Sequence, residues 1–225
     1  MTELTTIQKI AVMAVPMIFA IVLHEVAHGW IAHRLGDPTA KQMGRLTLNP
    51  LPHIDLFGTI IMPLLLFVLT DGRMVFGYAK PVPIDPRYFK DPKKGMALSA
   101  LAGPAVNVAM AILFAFLLRV GMTGLEGRVP EPVWSWVAVP VTLMLAYGII
   151  INVVLAVLNL IPIPPLDGSR VVYWLLPDRQ AMAYYRLEPY GTIILMALIM
   201  LGVLGRIMTP IIRPLLALLL GDGGF

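Results

Sequence analysis

An all-α fold that crosses a membrane several times is predicted by two properties of the sequence. Hydrophobic residues make up 58% of the 225 positions and charged residues only 13%, whereas a soluble domain carries roughly 25% charge. The apolar residues are also gathered into long runs, several of which reach the roughly 20 residues that an α-helix needs to cross the hydrocarbon core. A helix satisfies its backbone polar groups internally, so runs of that length are read as helices.

The first run, Ile7–Ala32, is long enough to span. The preceding MTELTTIQK has one acid and one base, and no small-residue cleavage site follows the run, so a retained membrane helix is expected rather than a signal peptide. The second, Leu56–Thr70, is short and contains Gly58 and Pro63. A short re-entrant or β-hairpin segment is therefore expected near 56–90. Within it, Gly77–Arg87 carries Pro81, Pro83 and Pro86, which favour extended backbone. Met96–Leu118 and Val133–Ile161 complete a three-helix core. The last run, Tyr190–Leu220, is interrupted at Gly205-Arg206 and by Pro210 and Pro214. One helix with an interfacial segment, or a tight hairpin, is expected there.

Loop charge orients these elements. Segment 33–55 holds Arg34, Lys41 and Arg45, and segment 71–95 holds Arg73, Lys80, Arg87, Lys90, Lys93 and Lys94. In 119–132, Arg119 and Arg128 are offset by Glu126 and Glu131. A re-entrant Leu56–Thr70 leaves both basic loops in the cytoplasm, as the positive-inside rule prefers; a spanning one separates them. The net charge of +4 is small and scattered, which gives no case for nucleic acid. The absence of cysteine excludes disulfides, iron–sulfur clusters and thiolate zinc sites.

The most informative motif is His24-Glu25-Val26-Ala27-His28, set in the first apolar run. Ionisable groups are costly at membrane depth and mark function there. Residues i and i+4 share a helix face, so His24 and His28 can bind one metal, with Glu25 beside them as a general base. The competing reading, a core helix with hydrogen-bonded histidines, is weakened because lipid offers no solvent partners. A catalytic zinc takes three protein ligands, and Asp167 is the best third candidate. It follows the fourth apolar run, where Pro162, Pro164 and Pro165 break the helix and Gly168 permits a close turn. An ordinary turn at a helix exit is the bland alternative. With Leu56–Thr70 re-entrant, both motifs reach the same leaflet; with it spanning, they cannot share a metal.

Other polar residues carry less. His33 lies off the face of His28, and His53 and Asp55 read as loop-ordering residues. Asn152 is expected to bond across helices. Asp178 and Glu188 read as solvated, and Trp134, Trp136, Tyr184, Tyr185 and Tyr190 as aromatic anchors at the membrane interface.

Taken together, HEVAH at 24–28, Gly103-Pro104-Ala-Val-Asn107 and the Asn159…Asp167-Gly168 motif resemble the site-2 protease family of intramembrane zinc metalloproteases. Phe76–Pro83, with His53-Ile-Asp55 and Gly58-Thr59 before it, looks like the compact prokaryotic subgroup without PDZ or CBS domains. The resemblance implies a single domain over 1–225, with a catalytic core at about 7–175 and C-terminal membrane segments at about 189–220. It implies one Zn2+ per chain, held by His24, His28 and Asp167, with Glu25 as the base. Asn159 would hold the substrate backbone or steady the site, Asn107 would support it, and Gly103 and Pro104 would let helices approach closely. The implied activity is hydrolysis of peptide bonds within or near transmembrane segments of other proteins. The implied partners are that substrate and the lipid bilayer, in a multi-pass cell-membrane protein with its active site toward the cytoplasm. No feature sets an oligomeric state. A divalent-metal transporter is one alternative, though further acids or histidines across the bilayer are scarce. A non-proteolytic relative that binds membrane proteins is the other, and it would have no need of Glu25.

Overall fold

The computed structural model describes residues 6–62, 65, 68, 77–125, 130 and 134–221. It is helical, and among the described residues there is no strand. The long elements are α1 (Thr6–Arg34), followed by the short α2 (Thr39–Gln42), then α3 (Pro92–Leu125) and α4 (Val139–Asn159). A π-helical turn at Trp134–Ala138 leads into α4. The rest is α5 (Asp167–Leu175), α6 (Asp178–Tyr185), α7 (Gly191–Met200) and α8 (Val203–Leu220). Among the described residues four helices are long and apolar enough to cross a membrane: Ala11–Arg34, Pro92–Gly121, Trp136–Asn159 and Val203–Leu220.

Helices α1, α3 and α4 pack against one another as a three-helix core. Lipid is as apolar as leucine, so membrane helices associate by close packing at small residues rather than by a hydrophobic drive. Ala20, Ala97, Ala100, Ala111, Ala115 and Ala156 are accordingly buried. Phe19, Ile112, Phe116 and Val141 face outward. Gly148 of α4 seats the Phe114 ring of α3; a Cβ there would lie 2.5 Å from it. Ala111, Ala115, Ile149, Val153 and Val157 form the core between α3 and α4, with Met208, Ile212 and Leu216 of α8 packed onto it.

The segment expected to re-enter begins with a π-helical turn at Leu56–Ile61, capped by the Asp55 carboxylate accepting from the Gly58 N–H at 2.7 Å. On the far side, residues 77–85 form neither helix nor strand, in keeping with their prolines. Tyr78 donates its N–H to the Gly58 carbonyl (3.0 Å), and Lys80 donates to that of His53 (2.9 Å). The Thr59 hydroxyl donates to the Tyr78 carbonyl at 2.9 Å. The chain thus returns beside the point from which it left. Residues 63, 64, 66, 67 and 69–76, which would carry the body of the expected re-entrant segment or hairpin, lie outside the described residues.

The C-terminal run differs from expectation. Its break falls at Leu201-Gly202, not at Gly205-Arg206 or the prolines. The N–H groups of Leu201 and Gly202 bond back to Ala197 and Ile199 and close α7. Gly202 takes φ +68°, a left-handed conformation that glycine adopts without a Cβ penalty and that commonly ends helices. Gly205 costs a helix only about 1 kcal/mol relative to alanine, and α8 runs through it and through Pro210 and Pro214. Nor is the pair a tight hairpin. Gly191 abuts the Pro164 backbone at the exit of α4, whereas the Leu218 carbonyl near the end of α8 accepts from Arg119 (2.9 Å) near the far end of α3.

Candidate metal centre

Three helix ends converge on His24 and His28: the last turns of α1, the first turns of α3, and the exit of α4 into α5. Both histidines are buried, with their rings edge to face at 4.5 Å. Their Nε2 atoms lie 3.1 Å and 3.3 Å from Asp167 Oδ2. Among the described residues, His24, His28 and Asp167 are the group whose ligand atoms can hold a metal ion, all lying within 4.8 Å of one another.

Hydrogen bonding determines which nitrogen of each ring is free. The Asn107 amide nitrogen donates to the Ala20 carbonyl (3.3 Å) and to Asn152 Oδ1 (2.7 Å), so its Oδ1 is the atom facing His24 Nδ1, at 2.5 Å. An oxygen there accepts, so Nδ1 carries the proton. His28 Nδ1 faces the Ser99 carbonyl at 2.8 Å and donates likewise. In neutral imidazoles, the form that binds metal, both Nε2 atoms then present lone pairs toward Asp167. Asp167 Oδ2 is buried and has no hydrogen-bond partner, despite its closeness to both rings. Three such acceptors converging on one point are the donor set for a cation. Ligands 2.0–2.2 Å from a tetrahedral zinc stand roughly 3.3–3.5 Å apart, close to the two separations observed. Buried protein partners on the outer nitrogens are also usual for metal-binding histidines.

Backbone detail makes room for the group. A Cβ on Gly103 would run into both imidazoles, His28 Nε2 included, so glycine lets α3 lie against the site. Pro104 beside it is fully buried. Asp167 is the first residue of α5 rather than part of an isolated turn. A Cβ on Gly168 would meet the carbonyls of Leu160 and Ile161, so glycine allows α5 to begin directly behind the end of α4. Glu25 is half-buried, and its Oε2 accepts from the backbone N–H of Val82 at 2.9 Å.

The remaining sequence candidates make other contacts. The Asn159 amide donates to Leu155 in its own helix (3.0 Å). Asn152 does bond across helices, through Asn107. His33, His53 and Asp55 are not in the three-residue group; His53 bonds the Thr47 carbonyl. Glu188 is not simply solvated: it is half-buried in an ion pair with Arg170. Asp178 is exposed and paired with Lys93 at 2.9 Å, whose ammonium holds its carboxyl below the usual range. Sequence reasoning did not find the Ser99 carbonyl, the Val82 amide or the fully buried Asp37. The first two are backbone groups and leave no trace in side-chain pattern.

These features make the chain a multi-pass membrane protein, helical throughout its described regular elements, with a His–His–Asp group where its core helices meet. Residues 134–202, which include α4 and Asp167, match the model of peptidase family M50. The protein named Putative zinc metalloprotease YwhC, from Bacillus subtilis, is 35% identical over 187 residues, covering 83% of this chain and 78% of its own. Putative zinc metalloprotease MJ0611, from Methanocaldococcus jannaschii, is 30% identical over 162 residues, covering 70% and 72%. Putative zinc metalloprotease Rip2, from Mycolicibacterium smegmatis, is 28% identical over 193 residues, covering 84% and 66%. No solved structure matches at comparable stringency. The chain belongs to peptidase family M50, the family of the site-2 proteases.

Proposed function

We propose that this chain forms one intramembrane zinc endopeptidase domain that hydrolyses peptide bonds within or near the transmembrane segments of other membrane proteins. The observation that carries the proposal is the convergence of His24 Nε2, His28 Nε2 and the partnerless Asp167 Oδ2, with Glu25 beside the pair. His24, His28 and Asp167 hold one zinc. When bound, it supplies Lewis acidity toward a carbonyl oxygen and toward water. Glu25 takes the proton of the attacking water and returns it to the leaving amine. Asn107 and the Ser99 carbonyl fix the two imidazoles in the tautomer that binds metal.

The cytoplasmic side is favoured for the site. The bonds between Gly58 and Tyr78 support an excursion that leaves and re-enters the same face, which keeps the basic residues of 33–55 and 77–95 together, as the positive-inside rule prefers. Water then reaches the group through Asp167, whose side chain is 18% exposed against 9% and 10% for the histidines. The substrate helix has to unwind locally, because its peptide bonds are shielded by their own hydrogen bonds; helix-breaking residues near the cut lower that cost.

Replacing Glu25 by Gln tests the mechanism. The variant should retain one zinc per chain by elemental analysis, yet leave a transmembrane test substrate uncut in detergent. Full cleavage by Glu25→Gln would sink the proposal, and metal transport into vesicles without cleavage by the parent would favour the transporter.

A further inference from the structure

We propose that the backbone N–H of Val82 orients Glu25 for proton transfer, and that the buried residues Asp37 and Arg45 are positioning residues that hold the Lys80–Asp85 strap for it. The inference rests on Glu25 being the base, as proposed above. Among the described residues, the Val82 N–H is the one hydrogen-bond partner of the Glu25 carboxylate, at 2.9 Å to Oε2. A charge-assisted bond of that kind fixes the carboxylate plane and leaves Oε1 for the proton.

The strap is built to present that single amide. Pro81 and Pro83 have no N–H and fix their own φ, and a residue before proline is held extended. Val82 is therefore rigid and is the sole donor between Lys80 and Ile84. The strap is anchored on both sides of it. Two residues before, Lys80 donates its N–H to the His53 carbonyl (2.9 Å) and accepts at its own carbonyl from Arg45 Nη2 (2.7 Å). Three residues after, Asp85 donates its N–H to Asp37 Oδ2 (2.7 Å). Asp37 also accepts at Oδ1 from the N–H (2.9 Å) and the hydroxyl (2.5 Å) of Thr39. Asp37 is 0% and Arg45 5% exposed, and neither is required by the metal group. The Val82 side chain docks onto α1 beside His28: a Cβ on Gly29 would lie 2.9 Å from Val82 Cγ1. A strap clamped at three points and aimed by one amide is an orienting device.

The test compares two substitutions at one position. Val82→Pro removes the N–H in a context already extended; Val82→Ala keeps it. Misplacing a reacting group by about 1 Å can cost on the order of 100-fold. Val82→Pro should therefore lose roughly 10–100-fold in kcat with KM nearly unchanged and one zinc retained, and Val82→Ala should turn over at least about ten times faster than Val82→Pro. A readout independent of turnover is amide hydrogen exchange in the metal-free protein. The Val82 N–H should exchange slowly in the parent and fast in Glu25→Ala, with the Asp85 N–H unchanged. Asp37→Ala should release both amides and lower kcat.

Equal turnover of Val82→Pro and Val82→Ala overturns the inference, as does exchange at Val82 that ignores the loss of Glu25. Loss of zinc in Val82→Pro overturns it too, since the strap would then be building the metal group. If Glu25→Gln still cleaves, the proposed function fails along with this inference. If Glu25→Gln is silent and the two Val82 variants match, the strap assignment fails by itself.

Discussion

Asn107 does more for this site than its place in a GPxxN sequence suggests. Its oxygen takes the His24 Nδ1 proton while its amide nitrogen ties α1 to α4. Asn107→Ala strands a buried imidazole donor and the Asn152 oxygen together. Losing such an outer partner weakens metal binding roughly 10–100-fold, which competition with a chelator would measure. In the proposed site Asp167→Ala removes one of three ligands, so zinc should be lost on dialysis that leaves the parent loaded; unchanged stoichiometry and affinity would exclude Asp167 as a ligand. His24, His28, Glu25 and Asp167 were legible as candidates because a metal demands particular side chains at particular spacings. The Ser99 carbonyl and Val82 amide were not, because every residue except proline has that donor and every residue that acceptor.

Among the elements, α3 and α4 depend on Gly148 for their separation. A β-branched side chain at Gly148 would meet the Phe114 ring, and overpacking of this kind costs about 1–3 kcal/mol. Gly148→Val should lower the thermal unfolding midpoint in detergent; an unchanged midpoint would show that the ring swings aside freely. The helices themselves were readable from hydropathy, since crossing lipid requires a long apolar run. Where the last run breaks was not. Gly205, Pro210 and Pro214 look like stronger interruptions, yet the chain turns at Gly202, whose backbone is left-handed. Composition indicates where a helix can stop; packing of Leu195 and Leu204 against Ile161 and Leu166 coincides with where it does.

For the whole molecule the decisive quantity is parity. The site exists only if the exits of α1 and α4 and the start of α3 lie at one end of the bundle. The sequence contains no cysteine, so single introduced thiols report cleanly. Lys41→Cys and Lys90→Cys, both exposed, should react with an impermeant maleimide from the same side of the membrane. Gly221→Cys, beyond the end of α8, should react from the opposite side. Labelling of positions 41 and 90 from different sides would mean that 56–76 crosses the membrane once.

The sequence alone was enough for the solvent, the helical class and the candidate metal ligands. Each follows from local chemistry: long apolar runs, i and i+4 on one face, and a carboxylate at a proline-broken exit. Tertiary structure decided which lone pairs converge, that Gly103 must lack a side chain, and that Asn107 and Val82 serve His24 and Glu25. Those relations join residues 57 to 143 positions apart, where sequence periodicity carries no information. They arise because small residues let three helices approach closely enough for buried polar groups to satisfy one another.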